Sequence, residues 1–305
     1  MNPLRISIVE YLNTAPLVRG FTHGPLRGKY QLSFTVPSQC AEALRTGAVD
    51  VAIIPAIEYQ RIPDLLILPN LSIASKKSVR SLLLVSKKPI HQVTRIALDR
   101  SSRSTQTLTR ILCAKHWDIA PEFFEAAPDL PEMLRQADAA LLIGDPALRL
   151  AIDTAPHAHR DASGELVSTA AAAGLLETGP IFIYDIVEKW HAMTSLPAVL
   201  AVWAARRSAV TPELVRDFQD SLAFGLRQLD SIAAEASAQM NLPAPELRRY
   251  LSENIDYHLD DENLQGLARY YSLAAELSRI PANLRPLEIA SQAGERQQAR
   301  VVADL

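Results

Sequence analysis

Two polar segments carry the side chains that could bind a small anion. Asn13 and Thr14 come directly after the apolar stretch Arg5–Val9, where a strand is expected to end and a helix to begin. The hydroxyl-rich loop Ser101–Thr105 follows the stretch Arg95–Leu98 in the same way. Backbone N–H groups at a helix start favour an anion, and amide or hydroxyl side chains add further donors. The anion ligands predicted here are Asn13, Thr14, Ser101, Ser102, Ser104 and Thr105.

These two segments predict a ligand with two negative groups. Each helix start stabilises a nearby anion by roughly 0.3–1 kcal/mol, and two opposed starts suit two carboxylates. In open parallel sheets ligands bind beyond the carboxyl ends of the strands, which is where both segments stand. For either segment alone a second interpretation stays open, namely that its side chains only cap the following helix.

Four further candidate residues stand at the start or end of other predicted strands. Gly144 and Asp145 follow the apolar strand Ala139–Ile143, and Asp145 could either line the site or cap the next helix. Pro55 ends an earlier apolar strand and is assigned to ligand binding. Ser81 opens the strand before the crossing between the predicted lobes, so its hydroxyl could reach the ligand.

The sequence offers few residues that could act as a catalytic acid, a catalytic base or a metal ligand. Glu58 could face the ligand, or it could be a solvated acid at the start of a helix. Glu188 and His191 have the spacing of two metal ligands on a helix, but no second pair accompanies them, which favours a solvated helix face. The sequence contains no Gly-x-Ser-x-Gly elbow and no Walker loop. We therefore expect neither a metal nor a cofactor.

Composition and charge restrict the class of partner. The chain has 305 residues, of which 48% are hydrophobic and 21% charged, as is typical of globular proteins. The net charge is −3 and the basic residues are scattered, so no nucleic-acid partner is expected. No apolar run approaches the ~20 residues of a membrane span, and the N-terminus lacks the pattern of a signal peptide. We expect a cytoplasmic protein with a small dicarboxylate as partner and no membrane contact.

The predicted elements form a two-lobed α/β protein. Strands and helices alternate twice along the chain, which places residues 1–90 and 197–305 in lobe 1 and residues 91–196 in lobe 2. From Thr211 onward the pattern is helical, so lobe 1 is expected to carry a helical C-terminal segment. The ligand is expected in the cleft between the lobes, where Asn13 would contribute to one wall.

The two predicted lobes share an internal repeat. The segment Leu44–Pro55 has a counterpart in Leu134–Gly144. In each segment Leu-Arg closes a helix, and an aspartate, Asp50 or Asp138, introduces a buried strand. Because each segment follows an equivalent strand, loop and helix, the repeat predicts a duplicated architecture.

Six segments, taken in order, resemble the menaquinone-biosynthesis family of the futalosine pathway. The resemblance runs from about residue 4 to residue 280 and implies the fold of type II periplasmic binding proteins. The segments are Tyr11–Thr14 with Pro16, Gly47–Pro55 with Glu58 and Tyr59, Val79–Ser86, Leu98–Thr105, Ile143–Asp145 and Leu196–Trp203.

Within this family the sequence is closer to the branch that removes water from chorismate. The sister branch acts on cyclic dehypoxanthinylfutalosine and carries a histidine base after the second-lobe strand, where this chain has Gly144 and Asp145. The resemblance implies that Asn13 and Ser81 are catalytic. It also implies that substrate is bound by Thr14, Pro55, Ser101, Ser102, Ser104, Thr105, Gly144 and Asp145.

The chemistry implied by the resemblance is the conversion of chorismate to 3-[(1-carboxyvinyl)oxy]benzoate. Because the ring becomes aromatic, a strong protein base is not required, and our hypothesis is that the enolpyruvyl carboxylate of the substrate takes the ring proton. Asn13 would orient the leaving hydroxyl, and Ser81 with the loop Ser101–Thr105 would hold carboxylates. Two alternatives remain, the sister reaction and an anion-binding protein that does no chemistry.

Overall fold

The structure is a computed structural model that describes residues 3–176, 179–291 and 297–298. The chain divides into two compact units. Unit 1 comprises residues 1–76 and 196–305, and unit 2 comprises residues 77–195. Each unit is built on a seven-stranded sheet.

The sheet of unit 1 has the strand order β14-β13-β4-β12-β3-β1-β2. Strand β1 pairs in parallel with β2 and β3, and β12 runs antiparallel to β3 and β4. Every residue of β3 is buried, as expected for a central strand covered on both faces. The strands are β1 Arg5–Val9, β2 Gln31–Thr35, β3 Val51–Pro55, β4 Leu65–Ser75, β12 Ala198–Arg206, β13 Glu288–Ile289 and β14 Gln297–Gln298.

Helices of unit 1 come from both segments of the chain, and the C-terminal segment is mainly helical, as predicted. A single π-helical turn, Tyr250–Asn254, follows α10. The helices are α1 Ala15–Thr22, α2 Pro37–Thr46, α3 Glu58–Arg61, α8 Pro212–Leu226, α9 Leu229–Met240, α10 Ala244–Arg249 and α11 Asp261–Glu276.

The sheet of unit 2 has the strand order β7-β6-β8-β5-β11-β10-β9. Strand β6 pairs in parallel with β7 and β8, and β5 runs antiparallel to β8 and β11. The elements are β5 Leu82–Ser86, β6 Arg95–Asp99, α4 Arg103–Lys115, β7 Glu122–Ala126, α5 Leu130–Gln136, β8 Ala139–Ile143, α6 Gly144–Thr154, β9 His159–Arg160, β10 Leu166–Thr169, β11 Pro180–Asp185 and α7 Ile186–Thr194.

The predicted duplication of architecture is confirmed by the strand orders. Unit 1 contains the run β2-β1-β3-β12-β4 and unit 2 the run β7-β6-β8-β5-β11. In both runs three parallel strands are followed by one antiparallel strand and then one more. The antiparallel strand enters each sheet directly after the chain has crossed from the other unit.

Asp50 and Asp138 occupy equivalent places in the two units. The Asp50 N–H donates to the Arg5 carbonyl, and the Asp50 carboxylate accepts the Arg5 N–H at 2.9 Å. The Asp138 N–H likewise donates to the Arg95 carbonyl, and its carboxylate accepts the Arg95 N–H at 3.2 Å. Each aspartate therefore sets the register between two parallel strands where they begin.

Two sequence-based boundaries differ from the structure. The first crossing lies at residues 76/77 and not at 90/91, because β5 pairs with β8 and β11 and so belongs to unit 2. The weakly patterned sequence of Asp153–Gly179 predicts loop and short helix, but the segment contains β10, which pairs with β11. Its pattern is weak because β10 lies toward the sheet edge beside the two-residue β9. No helix within the described residues is long and apolar enough to cross a membrane.

Candidate functional site

The unit 1 edge, formed by Asn13, Thr14 and Pro55, lies at the carboxyl ends of two neighbouring strands. Pro55 is the last residue of β3, which pairs in parallel with β1. Asn13 and Thr14 lie in the 3-10 turn Leu12–Thr14, which leads from β1 into α1. The topology therefore brings the three predicted residues of this unit to one edge of its sheet.

The side chains at the unit 1 edge do not serve as helix caps. Thr14 occupies the N-cap position of α1, but its side chain makes no capping hydrogen bond. Its Oγ1 donates instead to Asn13 Oδ1, at 3.3 Å. This bond uses the Asn13 oxygen as an acceptor, so the amide N–H groups are the part of Asn13 that can donate to a ligand. The interpretation of these residues as caps alone is wrong for Thr14.

Close packing between α1 and α8 fixes the position of the unit 1 edge. The Gly20 N–H donates to Ser221 Oγ at 3.1 Å, and Ser221 Oγ donates to the Leu17 carbonyl at 2.8 Å. A Cβ on Gly225 would lie 1.9 Å from the Pro16 carbonyl oxygen. Glycine is therefore required at 225, where the α8 backbone approaches the first turn after Asn13.

Glu58 is a buried structural acid. Its side chain is fully buried, and its carboxylate pairs with Arg45 and, at 2.8 Å, with Arg61. The expectation of a solvated acid at a helix start is wrong because α2 and α3 each direct an arginine onto this carboxylate. Because each of its two oxygens is bound by an arginine, we assign Glu58 to holding α2 and α3 together.

The unit 2 edge gathers the remaining predicted residues. Strands β6 and β8 end there, and the antiparallel β5 begins there. The Gly144 N–H donates to the Ser81 carbonyl at 2.8 Å, so the strand order places these two residues side by side. The residues of this edge are Ser81, Ser101, Ser102, Ser104, Thr105, Gly144 and Asp145.

Both donors of Ser101 are occupied by Asp99, a residue that sequence reasoning did not single out. The Ser101 N–H and hydroxyl donate to Asp99 Oδ1 at 2.9 and 2.7 Å. Asp99 is fully buried at the end of β6, and burial raises the pKa of its carboxyl while the Ser101 hydrogen bonds oppose the rise. No sequence signal separates this aspartate from an ordinary loop residue, because its burial depends on the sheet.

The neighbouring Ser102 behaves as Thr14 does. It is the N-cap residue of α4, and its side chain makes no capping hydrogen bond. Ser102, Ser104 and Thr105 are all buried at this helix start. The cap interpretation is therefore wrong for Ser102, and its hydroxyl stands beside the first turn of a thirteen-residue helix.

Gly144 begins α6 in a left-handed backbone conformation, with φ at +67°. Glycine adopts this conformation without steric cost, whereas a side chain there is strained. Asp145 lies in the first turn of α6, where the helix dipole favours an acid, and Ile143 takes the N-cap position in its place. Asp145 is therefore not the capping residue.

Asp185 positions the chain just before Ser81. Its carboxylate accepts the N–H groups of Val79 and Arg80 at 2.9 and 2.6 Å, and those of Val187 and Glu188 at the start of α7. Burial raises the pKa of Asp185 to about 6. An aspartate directly before a helical pattern is a recognisable N-cap signal, although its second role at Val79 and Arg80 is not.

No metal site is apparent among residues 3–176, 179–291 and 297–298, where no three potential ligands from His, Cys, Asp and Glu come together. Glu188 pairs with Arg160 at 3.2 Å. Both cysteines are free and buried, and burial raises the pKa of the Cys40 thiol to about 11 and that of Cys113 to about 12. Neither thiol is therefore activated as a nucleophile.

Comparison with known proteins supplies the family. The model of the menaquinone biosynthesis family matches residues 4–276. The chain belongs to the menaquinone biosynthesis family. It is also 28% identical over 273 residues to a protein named chorismate dehydratase from Thermus thermophilus, a match covering 88% of this chain and 94% of that protein.

Solved structures bear out the predicted fold class. A structural-genomics protein from Archaeoglobus fulgidus superposes with a TM-score of 0.69 at 17% identity, covering 91% of this chain and 98% of that one. The periplasmic aliphatic sulphonate binding protein of Escherichia coli superposes with a TM-score of 0.58 at 18% identity, covering 93% and 95%. The chain therefore has a periplasmic-binding-protein-like fold.

Proposed function

We propose that this protein is a carbon–oxygen lyase that dehydrates chorismate to 3-[(1-carboxyvinyl)oxy]benzoate. The observation that carries the proposal is that buried Ser102 stands at the start of α4, beside parallel strand ends, without capping that helix, and that Thr14 donates to the Asn13 oxygen, which leaves the Asn13 amide N–H groups as the donors of the other edge. Donors placed in this way can serve the oxygens of an anionic ligand. The similarity to chorismate dehydratase over most of the chain supports the same reaction.

In the proposed mechanism the substrate supplies its own base. The enolpyruvyl carboxylate takes the ring proton beside the ether, and the electrons of that C–H bond enter the ring. The C–O bond of the neighbouring hydroxyl breaks, and the proton held by the enolpyruvyl carboxylate passes to the leaving oxygen, so that water is released. Aromatisation makes the step downhill, and the ring carboxylate spreads the developing charge. Donors that hold this carboxylate would therefore lower the barrier.

The protein's part is to orient the reacting groups. We assign the amide N–H of Asn13 to the oxygen of the leaving hydroxyl, because its side-chain oxygen already accepts from Thr14. Ser81 and the loop that contains Ser102, Ser104 and Thr105 are assigned to carboxylates. The rest of the substrate-contacting surface of the two edges is assigned to Pro55, Gly144 and Asp145. Orientation of this kind can contribute several kcal/mol without any strong protein base.

The sister reaction, on cyclic dehypoxanthinylfutalosine, is the second candidate. Its histidine base would stand after β8, where this chain has Gly144 and Asp145. The positive φ of Gly144 disfavours any residue with a side chain at that position. This backbone conformation supports the chorismate reaction over its sister.

The test offers both substrates to the purified protein in separate reactions and separates the products by chromatography. We expect formation of 3-[(1-carboxyvinyl)oxy]benzoate from chorismate and no change in the futalosine derivative. Turnover of the futalosine derivative alone would transfer the assignment to the sister reaction. Binding of chorismate without consumption would identify an anion-binding protein instead.

A further inference from the structure

Asp99 is held at the unit 2 edge by hydrogen bonds to both its backbone and its side chain. Its carbonyl accepts the Ser102 N–H at 3.2 Å and the side-chain amide of the buried Gln106 at 2.9 Å. Its Oδ1 accepts both donors of Ser101. Its Oδ2 is buried and makes no hydrogen bond of ordinary length among the described residues, although the Ile143 N–H is near enough to oppose the rise in the pKa of this carboxyl. Four bonds therefore fix the end of β6 to the start of α4.

This arrangement fixes the direction of the Ser101 hydroxyl in either protonation state of Asp99. Oδ1 accepts the Ser101 N–H, and a protonated carboxyl oxygen is a poor acceptor, so a proton on Asp99 is disfavoured at Oδ1. If Asp99 is protonated, its hydrogen sits on Oδ2, and if it is ionised, both oxygens only accept. In both cases the Ser101 hydroxyl donates to Asp99.

Ser101 is therefore left with lone pairs only, and these can accept but not donate. A ligand carboxylate needs donors, so the Ser101 side chain cannot hold one in this structure. When Asp99 is ionised, its carboxylate beside Ser101 also repels a second negative group. A ligand hydroxyl, which has a hydrogen to give, fits both properties.

We infer that Asp99 is a positioning residue that turns Ser101 into a hydrogen-bond acceptor for the hydroxyl of the substrate. The inference rests on the proposed function, since chorismate carries one hydroxyl and 3-[(1-carboxyvinyl)oxy]benzoate carries none. Ser101 then distinguishes substrate from product, and Ser102, Ser104 and Thr105 are left to bind a carboxylate. Loss of the hydroxyl in the reaction removes this contact and favours release of product.

The experiment compares Ser101→Ala, Asp99→Ala and Asp99→Asn with the unchanged protein. Two quantities are measured for each: kcat/KM for chorismate, and Kd for 3-[(1-carboxyvinyl)oxy]benzoate by calorimetry. Ser101→Ala should lower kcat/KM by roughly 10–100-fold, the range expected for one oriented hydrogen bond, and leave product affinity within about twofold.

The two Asp99 variants should differ from each other. Asp99→Asn keeps an oxygen that can accept from Ser101, so it should retain most of kcat/KM. Asp99→Ala frees the Ser101 hydroxyl to donate and removes a negative charge, so it should lower kcat/KM while product affinity stays equal or rises. A purely structural role would weaken both ligands together in Asp99→Ala, and that result would overturn the inference. If Asp99→Ala does not fold, an equal loss of substrate and product binding in Ser101→Ala overturns it as well.

The same experiment separates the two hypotheses. If the unchanged protein binds chorismate without consuming it, the proposed function fails, and the inference is then decided by whether Ser101→Ala weakens chorismate more than product. If turnover occurs but Ser101→Ala leaves kcat/KM unchanged, the inference alone fails. If chorismate does not bind at all, both fail.

Discussion

Asn13 is the residue whose loss should separate rate from binding most clearly. Its oxygen accepts from Thr14, and its amide N–H groups are assigned to the leaving hydroxyl. Asn13→Ala should lower kcat by about 10²–10³-fold, the usual contribution of one oriented hydrogen-bond donor in the transition state, and change product Kd by less than about threefold. Steady-state kinetics and calorimetry provide the two numbers.

Asn283→Ala is the matched control for Asn13, because Asn283 is an exposed asparagine in the loop after α11. It should leave both numbers unchanged. An Asn13→Ala variant that loses product affinity as strongly as kcat would assign Asn13 to binding alone.

The identity of the proton acceptor is tested by Glu58→Gln and Asp145→Ala. Glu58 is paired with two arginines, so Glu58→Gln should lower the free energy of unfolding by roughly 1–3 kcal/mol and leave kcat of the folded protein unchanged. Asp145→Ala should also retain turnover within about tenfold. Urea unfolding and kinetics measure these effects. Collapse of kcat with product binding intact, in either variant, would replace the substrate's carboxylate by a protein base.

At this scale the sequence predicted the positions of polar residues better than their roles. Asn13 and the Ser101–Thr105 loop could be predicted because the pattern of apolar residues indicates a strand end followed by a helix start. The role of Ser101 as a hydrogen-bond acceptor could not be predicted, because it depends on Asp99, which is buried by neighbouring strands. The burial of Glu58 could not be predicted from sequence for the same reason, because its partner Arg45 belongs to another helix.

Among the elements, α6 depends on a start that only glycine adopts without steric cost. Gly144→Ala should lower the free energy of unfolding by about 1–2 kcal/mol, because a Cβ disfavours a φ of +67°. Gly174→Ala is its control: Gly174 has a φ of +71° and open space where a Cβ would lie, but it stands outside the unit 2 edge. Both should lose stability on thermal unfolding, and Gly144→Ala alone should also lose kcat/KM. Equal kinetics for the two would remove Gly144 from the site.

The stabilisation that Asp138 provides where β6 and β8 begin should depend on pH. Burial alone would raise the pKa of Asp138, but hydrogen bonds from Lys88 and Thr94 hold it well below its usual range. For an acid with a depressed folded-state pKa, the stabilisation is present above the unfolded value of about 3.9 and is lost as pH falls. Asp138→Asn should therefore be less stable than the unchanged protein at pH 7, by roughly 1–3 kcal/mol.

The difference for Asp138→Asn should shrink below about pH 4, as the unchanged protein loses the same stabilisation. Asp153→Asn, at an exposed position late in α6, controls for the loss of one charge. Chemical unfolding at a series of pH values gives the curves. A stability difference that grows toward acid would reverse the sign assigned here.

Elements with strong periodicity were predicted closely, and weak ones were not. The central strands β3 and β8 are apolar throughout, and every residue of each is buried, so the pattern that predicts a strand covered on both faces is strong in both. Strand β10 was missed because its residues owe their conformation to pairing with β11, not to their own pattern. The crossing from unit 1 to unit 2 near residue 76 was predicted at the wrong position, because the sequence of a strand does not indicate which sheet the strand joins.

For the whole molecule, the duplicated strand order accounts for how one chain carries two similar edges. Each unit ends parallel strands beside a helix start, and each places polar side chains there that do not cap the helix. The two-unit α/β fold was predictable because the repeat containing Asp50 and Asp138 is visible in sequence. The hydrogen bonds that give both residues the same task were not visible before the strands were paired.

The most direct test of the central claim follows the ultraviolet absorbance of chorismate mixed with the purified, metal-free protein. We predict that the diene absorbance decays to completion, that the spectrum of an aromatic ether replaces it, and that Asn13→Ala slows this decay by about 10²–10³-fold. Persistence of the diene absorbance under conditions in which calorimetry detects bound chorismate would contradict the assignment of this protein as a dehydratase.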